Sequence, residues 1–401
     1  MAKPDERIQS ESFWSSLLKL FTNRNYIILI LINICNNFAL TMGKTPLTLY
    51  GMSLGMTGAV VGAMNGTYYL VVTLARPFTG ITMDKFNRKL VLMACISIKI
   101  AGYILLANAT DYTSFLIGRL VDAVSFAFIT TTFFGVTSQV VDRKAMGTSI
   151  GLFSGIPTLI VSAVPTLSML VFQKFGGPTL FYLGIAALVL ALILTMFLKL
   201  PEVKKEPSTR KFSLNDVFYL KAVPVCMLNF FLSMLMTICD TYLVVMALER
   251  GIAGAEIYAT IKSMVTIIAG VGLGGLSDYF GGRKILIAAC VGTAIASVMY
   301  GSAQSLLVII AASVIYSVLQ KGANPVLIKA AANSAPDDKR GAAMSTNYFI
   351  QDLAGVGGGY IAGICFTYFG YAGSFYVSAI FPIVGLILFL ILSPKEDKKR
   401  A

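Results

Sequence analysis

An all-α membrane protein of twelve transmembrane helices, arranged as two similar six-helix bundles, is the fold class this sequence predicts, and three observations carry it. The first is composition. Of 401 residues, 56% are hydrophobic and only 13% are charged. The mean hydropathy is +0.78, whereas a soluble globular domain carries about 25% charged residues. The second is a succession of apolar stretches beginning near residues 27, 58, 90, 113, 148, 179, 222, 254, 285, 305, 341 and 371. Each runs for roughly 18 to 25 residues, enough to cross a hydrocarbon core of about 30 Å. The third is a loop motif that occurs twice, as Gly80-Ile-Thr-Met-Asp84-Lys-Phe-Asn-Arg88-Lys89 and as Gly274-Gly-Leu-Ser-Asp278-Tyr-Phe-Gly281-Gly282-Arg283-Lys284. Each copy sits between two apolar runs, so the chain reads as a duplicated membrane architecture.

Short breaks rich in turn residues separate the spans, for example 51–58, 108–112, 176–178 and 370–373. The longest hydrophilic interruption, 201–221, divides the chain six plus six. The expected organisation is an N-terminal segment 1–25, a first bundle 26–200, a linker 201–221, a second bundle 222–393 and a tail 394–401. Lysine and arginine crowd into the N-terminus, the tail and the loops after the even-numbered spans, while the opposite loops hold only Lys174 and Arg250. By the positive-inside rule both termini are cytoplasmic, in a multi-pass inner (plasma) membrane protein of bacterial type. The formal charge of +13 is then topology rather than a nucleic-acid footprint. Residues 1–21 lack the apolar core of a signal peptide, and no cleaved leader is expected. The six cysteines all fall inside spans without metal-type spacing and read as small packing residues.

Charges inside spans are costly and usually functional or paired. Lys44 lies on the first span, Lys99 on the third, Arg119 and Asp122 on the fourth, Asp240 on the seventh, Lys262 on the eighth, Lys321 on the tenth and Asp352 on the eleventh. Asp240 and Lys262 are each 11 residues from Gly251, which places both about 16 Å deep at 1.5 Å per residue. They are candidates for an ion pair. Lys321 and Asp352 reach similar depths from Pro336. Arg119 and Asp122, three apart, share a helix face. Lys44 is close enough to a span end to snorkel outward.

There is no histidine, so proton coupling would fall to Asp122, Asp240 or Asp352, with Asp240 the first choice and Asp352 the second. A cation that swings away from such a carboxylate in one conformation would let it take up or release a proton. A static counter-ion is the plainer alternative. Asn33, Asn36, Asn37, Asn65, Tyr68, Tyr69, Gln320, Asn324, Asn347 and Gln351 could orient a substrate, although such residues also serve as interhelix glue. The five glycines Gly355, Gly357, Gly358, Gly359 and Gly363 permit close helix packing or bending.

Twelve spans in two halves, a central linker and the repeated Gly-Asp-Arg-Lys motif resemble the major facilitator superfamily over essentially the whole chain. Ala75-Arg76-Pro77-Phe78-Thr79-Gly80 is more similar to the bacterial proton-coupled drug and metabolite efflux branch than to sugar porters. The resemblance implies alternating access and a cytoplasmic gate motif built from Gly80, Asp84, Arg88 and Lys89 in one half and Gly274, Asp278, Arg283 and Lys284 in the other. Asn87 stands where the family usually has glycine, so the first copy's turn is expected to differ. Arg119 matches the arginine of the family's fourth-span motif, although the glycines that usually follow are replaced by Asp122-Ala-Val-Ser125. The fifth span carries Pro157 and Pro165 without the full glycine-proline pattern of antiporters.

Arg119, Asp122, Asp240, Lys262, Lys321, Asp352, Asn37 and Gln351 form the expected substrate and proton pathway. An intramembrane enzyme would need a nucleophile with a base, or metal ligands, and neither is apparent. No metal site or cofactor is expected. The expected function is secondary transport of a small organic solute by proton-coupled efflux, in a monomer whose partners are protons, the lipid bilayer and an anionic or zwitterionic small molecule. Uptake or exchange of a small organic anion is the alternative, favoured by a surplus of deep cations over aspartates.

Overall fold

A computed structural model of the chain describes residues 21–141, 146–200, 218–321, 323–336 and 340–392. Most of the expected N-terminal segment and linker, and the whole of the tail, lie outside them. The described residues are helical almost throughout, with no strand among them. That follows from the solvent: within hydrocarbon every backbone N–H and C=O must be satisfied inside the protein, which a helix does segment by segment.

The helices are α1 (Arg24–Lys44), α2 (Leu47–Ser53), α3 (Gly58–Lys85), α4 (Arg88–Ala107), α5 (Tyr112–Val140), α6 (Met146–Ile160), α7 (Val164–Phe175), α8 (Gly177–Met196), α9 (Val223–Glu249), α10 (Ile257–Phe280), α11 (Gly282–Ser302), α12 (Leu306–Tyr316), α13 (Asn324–Asn333), α14 (Arg340–Ser378) and α15 (Ile380–Leu392). Ten stretches among the described residues are long and apolar enough to cross a membrane. One of them, Ala342–Ile391, is 50 residues long, about 75 Å of helix against a core of about 30 Å. It is broken at Gly370, whose φ of 66° and ψ of −169° suit a residue without a Cβ. Against the twelve spans that the sequence expects, hydropathy and length give ten among the described residues, the 50-residue one broken at Gly370 and the 24-residue α10 not among them.

Local chemistry sets many of the boundaries. Asp111 and Ser114 form a capping box at the start of α5, and the Ser114 bonds hold the Asp111 carboxyl below the usual carboxylate range. Proline stands in the first turn of α7, α8 and α9, where its missing N–H costs nothing. The fifth span is interrupted by a 3₁₀ turn, Val161–Ala163, that follows Pro157. The tenth is interrupted by a π turn, Ser317–Lys321.

Two compact units emerge, residues 1–43 with 75–209, and residues 44–74 with 210–401. In the first, polar side chains tie helices together through backbone carbonyls. Tyr26 donates to the Ser149 carbonyl at 2.7 Å, Asn33 to that of Phe153 at 2.8 Å and Tyr103 to that of Ala39 at 3.0 Å. In the second, the first half of α3 packs on α14 through glycines. A Cβ on Gly363 would lie 2.8 Å from the Ala59 carbonyl oxygen, and one on Gly359 would collide with the Gly66 backbone. Asn65 donates to Thr241 at 3.0 Å and Tyr242 to the Gly58 carbonyl at 2.7 Å, closing the same contact with α9. All six cysteines are free, five of them buried, as packing residues should be.

Candidate functional site: a buried carboxylate between two lysines

In the second unit a cluster of charge gathers on Asp240 of α9. Lys262 of α10 approaches its Oδ1 at 2.9 Å, and Lys44 approaches its Oδ2 at 2.7 Å. The Tyr258 hydroxyl donates to Oδ1 at 3.2 Å. Tyr258 and Lys262 are one helical turn apart, so both reach the same carboxylate, and the Lys262 ammonium stands 5.2 Å from the Tyr258 ring centre. The Asp240 and Lys262 side chains are only 12% and 15% exposed, while Lys44 remains 37% exposed. Two ammonium groups thus share one carboxylate, and none of the three is far from another charge. A buried charge without that compensation would cost several kcal/mol. Tyr300 of α11 and Tyr316 of α12, both fully buried, stand within electrostatic reach of Asp240.

The Asp240–Lys262 pair is the one that equal depth suggested. Lys44, which the sequence allowed to snorkel away, instead turns to the same carboxylate, and Tyr258 was not singled out. Its position four residues before Lys262 was the available signal.

A second cluster occupies the first unit. Arg119 Nη1 lies 3.1 Å from Asp122 Oδ2, the i,i+3 pairing expected on α5. Lys99 of α4 is fully buried, and its ammonium donates to Asn36 Oδ1 at 3.1 Å and stands 5.8 Å from the Tyr103 ring centre. It is close enough to feel the charges of both Asp122 and Arg119. Arg119, Asp122, Lys99 and Asn36 therefore form one buried polar group. Asn37 turns back on its own helix, donating to the backbone and side-chain oxygens of Asn33 at 2.9 and 2.8 Å. Asn65 and Asn347 likewise engage neighbouring helices, through Thr241 and Asn229.

Asp352 is buried and Gln351 half-buried on α14. The Lys321 side chain, and hence its expected approach to Asp352, lies outside the described residues. In the repeated motif the side chains of Asp84 and Asp278, and any contribution from Gly80 and Gly274, also lie outside them. Arg88 donates to the Gly135 carbonyl at 2.7 Å and Lys89 to that of Met196 at 2.8 Å. The two copies turn differently. Asn87 has φ −64° and caps α4 through a 2.9 Å bond from the Lys89 N–H, whereas Gly281 holds φ 82° and precedes α11, which carries Arg283 and Lys284. The second copy has the shorter turn, with Gly281 alone between α10 and α11 against Phe86 and Asn87 between α3 and α4.

With helices, repeats and buried charge established, comparison with known proteins decides the family. A family model described as Major Facilitator Superfamily matches residues 25–300 and 225–401. The chain belongs to that superfamily. Among curated relatives, this superfamily member is 26% identical over 209 residues to the multidrug resistance protein MdtL of Citrobacter koseri, covering 50% of the chain and 53% of the relative. It is 24% identical over 272 residues to the multidrug resistance protein MdtG of Enterobacter lignolyticus, covering 63% and 64%. The chain thus spans between half and two thirds of the length of these two relatives. Among solved structures, it superposes on a mutant of the nucleoside transporter NupG with a TM-score of 0.79 at 14% identity, covering 92% of this chain and all of that one. The POT family transporter PepTSo gives 0.78 at 11% identity, covering 92% and 97%. At such identities these likenesses concern the fold. Helices, membrane spans and superfamily together make this a multi-pass membrane protein of the Major Facilitator Superfamily.

Proposed function

We propose that this transporter exports a small organic solute in exchange for protons, with Asp240 as the group whose protonation changes during the cycle. The observation that carries the reading is the Asp240 carboxylate held by Lys44 at 2.7 Å and Lys262 at 2.9 Å. Such a carboxylate stays ionised while both ammonium groups are in place and accepts a proton once one withdraws. With no histidine in the chain, a buried carboxylate is the natural carrier. The multidrug resistance names of MdtL and MdtG support export as the direction. Arg119 and Asp122 hold their own bundle together in this reading, and the Arg88 and Arg283 loops act as the cytoplasmic gate, with both termini in the cytoplasm.

A second reading, uptake or exchange of a small organic anion, is favoured by two lysines meeting a single carboxylate. Proteoliposomes with an imposed pH gradient separate the two. Solute-dependent proton movement opposite to the solute supports export, and anion exchange without a pH requirement supports the second reading.

A further inference from the structure

We infer that Lys44 and Lys262 form a cradle for a two-oxygen anionic group, a carboxylate of the transported solute, and that Asp240 is the internal place-holder which that group displaces. The inference rests on the transport reading and deepens its second form.

The geometry that points there is the division of labour on Asp240. Each ammonium addresses a different carboxylate oxygen, Lys44 at Oδ2 and Lys262 at Oδ1, so together they present donors spaced for two oxygens joined through one carbon. Lys44 is also the most exposed member of the group, at 37%. At this cluster a cationic solute finds no comparable seat, because the Asp240 carboxylate is already engaged twice. Around Asp240 stand Lys44, Tyr258 and Lys262, Tyr300, Tyr316 and the neighbouring Cys239. Among the described residues, the two lysines are the charged groups paired with it.

Displacement has a definite proton balance. When an incoming carboxylate takes both ammonium groups, the vacated Asp240 oxygen takes one proton from water and Tyr258 remains as its hydrogen-bond partner. The cradle again holds two cations and one anion. Anion and proton then move together, so one-for-one anion exchange carries no net proton and needs no pH gradient, and the loaded and empty forms carry equal charge within the membrane.

Thermal stability of the purified full-length protein in detergent at neutral pH, with benzoate, benzamide and benzylamine as matched probes, tests the assignment. Benzoate alone should stabilise the wild type, with uptake of about one proton per chain in weakly buffered solution. Asp240→Asn should bind benzoate at least tenfold more tightly, while Lys44→Ala and Lys262→Ala should lose the preference. Equal stabilisation by the three probes overturns the cradle. So does a benzoate preference without proton uptake by the wild type, or one that survives in Lys262→Ala. Failure of pH-driven transport with the benzoate result intact would instead remove the coupling reading and leave the anion site standing.

Discussion

Asp240 and Lys262, equidistant along the chain from the turn at Gly251, meet at 2.9 Å inside the second unit. A third partner, Lys44, reaches the opposite oxygen of the same carboxylate. Removing either lysine leaves the carboxylate one lysine partner, whereas removing the carboxylate leaves Lys262 without its counter-ion.

Replacing Asp240 with asparagine keeps the shape and removes the titrating group. Transport driven by an imposed pH gradient in proteoliposomes should fall to background, while elution as a folded species is unchanged. Unaltered pH dependence would remove Asp240 from the mechanism.

Arg119→Ala strands the buried Asp122 carboxylate, and breaking a buried pair in this way costs about 3–5 kcal/mol. Combining it with Asp122→Ala should cost less than the two single changes together, by about 0.5–3 kcal/mol, as expected for residues in contact. Equilibrium unfolding of the three variants measures both numbers, and strict additivity would show that the pair is not coupled.

The glycine contact between α3 and α14 should be intolerant of a single methyl group. Gly359→Ala drives a Cβ into the Gly66 backbone, which cannot rotate aside, and should cost roughly 1–3 kcal/mol. Gly155→Ala, with nothing within 4 Å of its Cβ, should be neutral or stabilising by about 0.5–1 kcal/mol through helix propensity. Comparing melting temperatures of the two variants decides whether close packing or flexibility explains these glycines.

The two motif copies should respond in opposite ways to the same residue. Asn87→Ala removes the cap on α4 and should cost about 1 kcal/mol, while Asn87→Gly should cost only a few tenths. Gly281→Asn forces a side chain into a backbone region at φ 82° that L residues rarely occupy, at a cost of about 1–3 kcal/mol. Protease resistance of the loops, read against detergent unfolding midpoints, distinguishes a local from a global effect.

Much of the candidate site was legible before any coordinates. Arg119 and Asp122 were paired by helical spacing alone, and Asp240 and Lys262 by counting equal depths from a shared turn, because α-helical rise makes depth a linear function of sequence. The turn at Asn87 was legible as a departure from glycine. Lys44 was not, since its distance from Asp240 depends on packing between segments far apart in the chain. The same holds for Lys99, whose ammonium finds Asn36 across 63 residues of sequence. Tyr258 was hidden for another reason: one tyrosine among 18 carries no mark of function until its hydroxyl is seen to face a carboxylate.

What the sequence determined by itself was the solvent, the helical class, the duplicated motif and the inventory of charges that had to be compensated. Each of these is written in local composition or in the period of backbone hydrogen bonding. Only the tertiary structure decided which charges meet, that Lys44 joins Asp240, and that the glycines of α14 press against α3. Those outcomes depend on the rotation of each helix about its own axis and on which faces exclude one another, and neither quantity is fixed by the order of residues along a single helix.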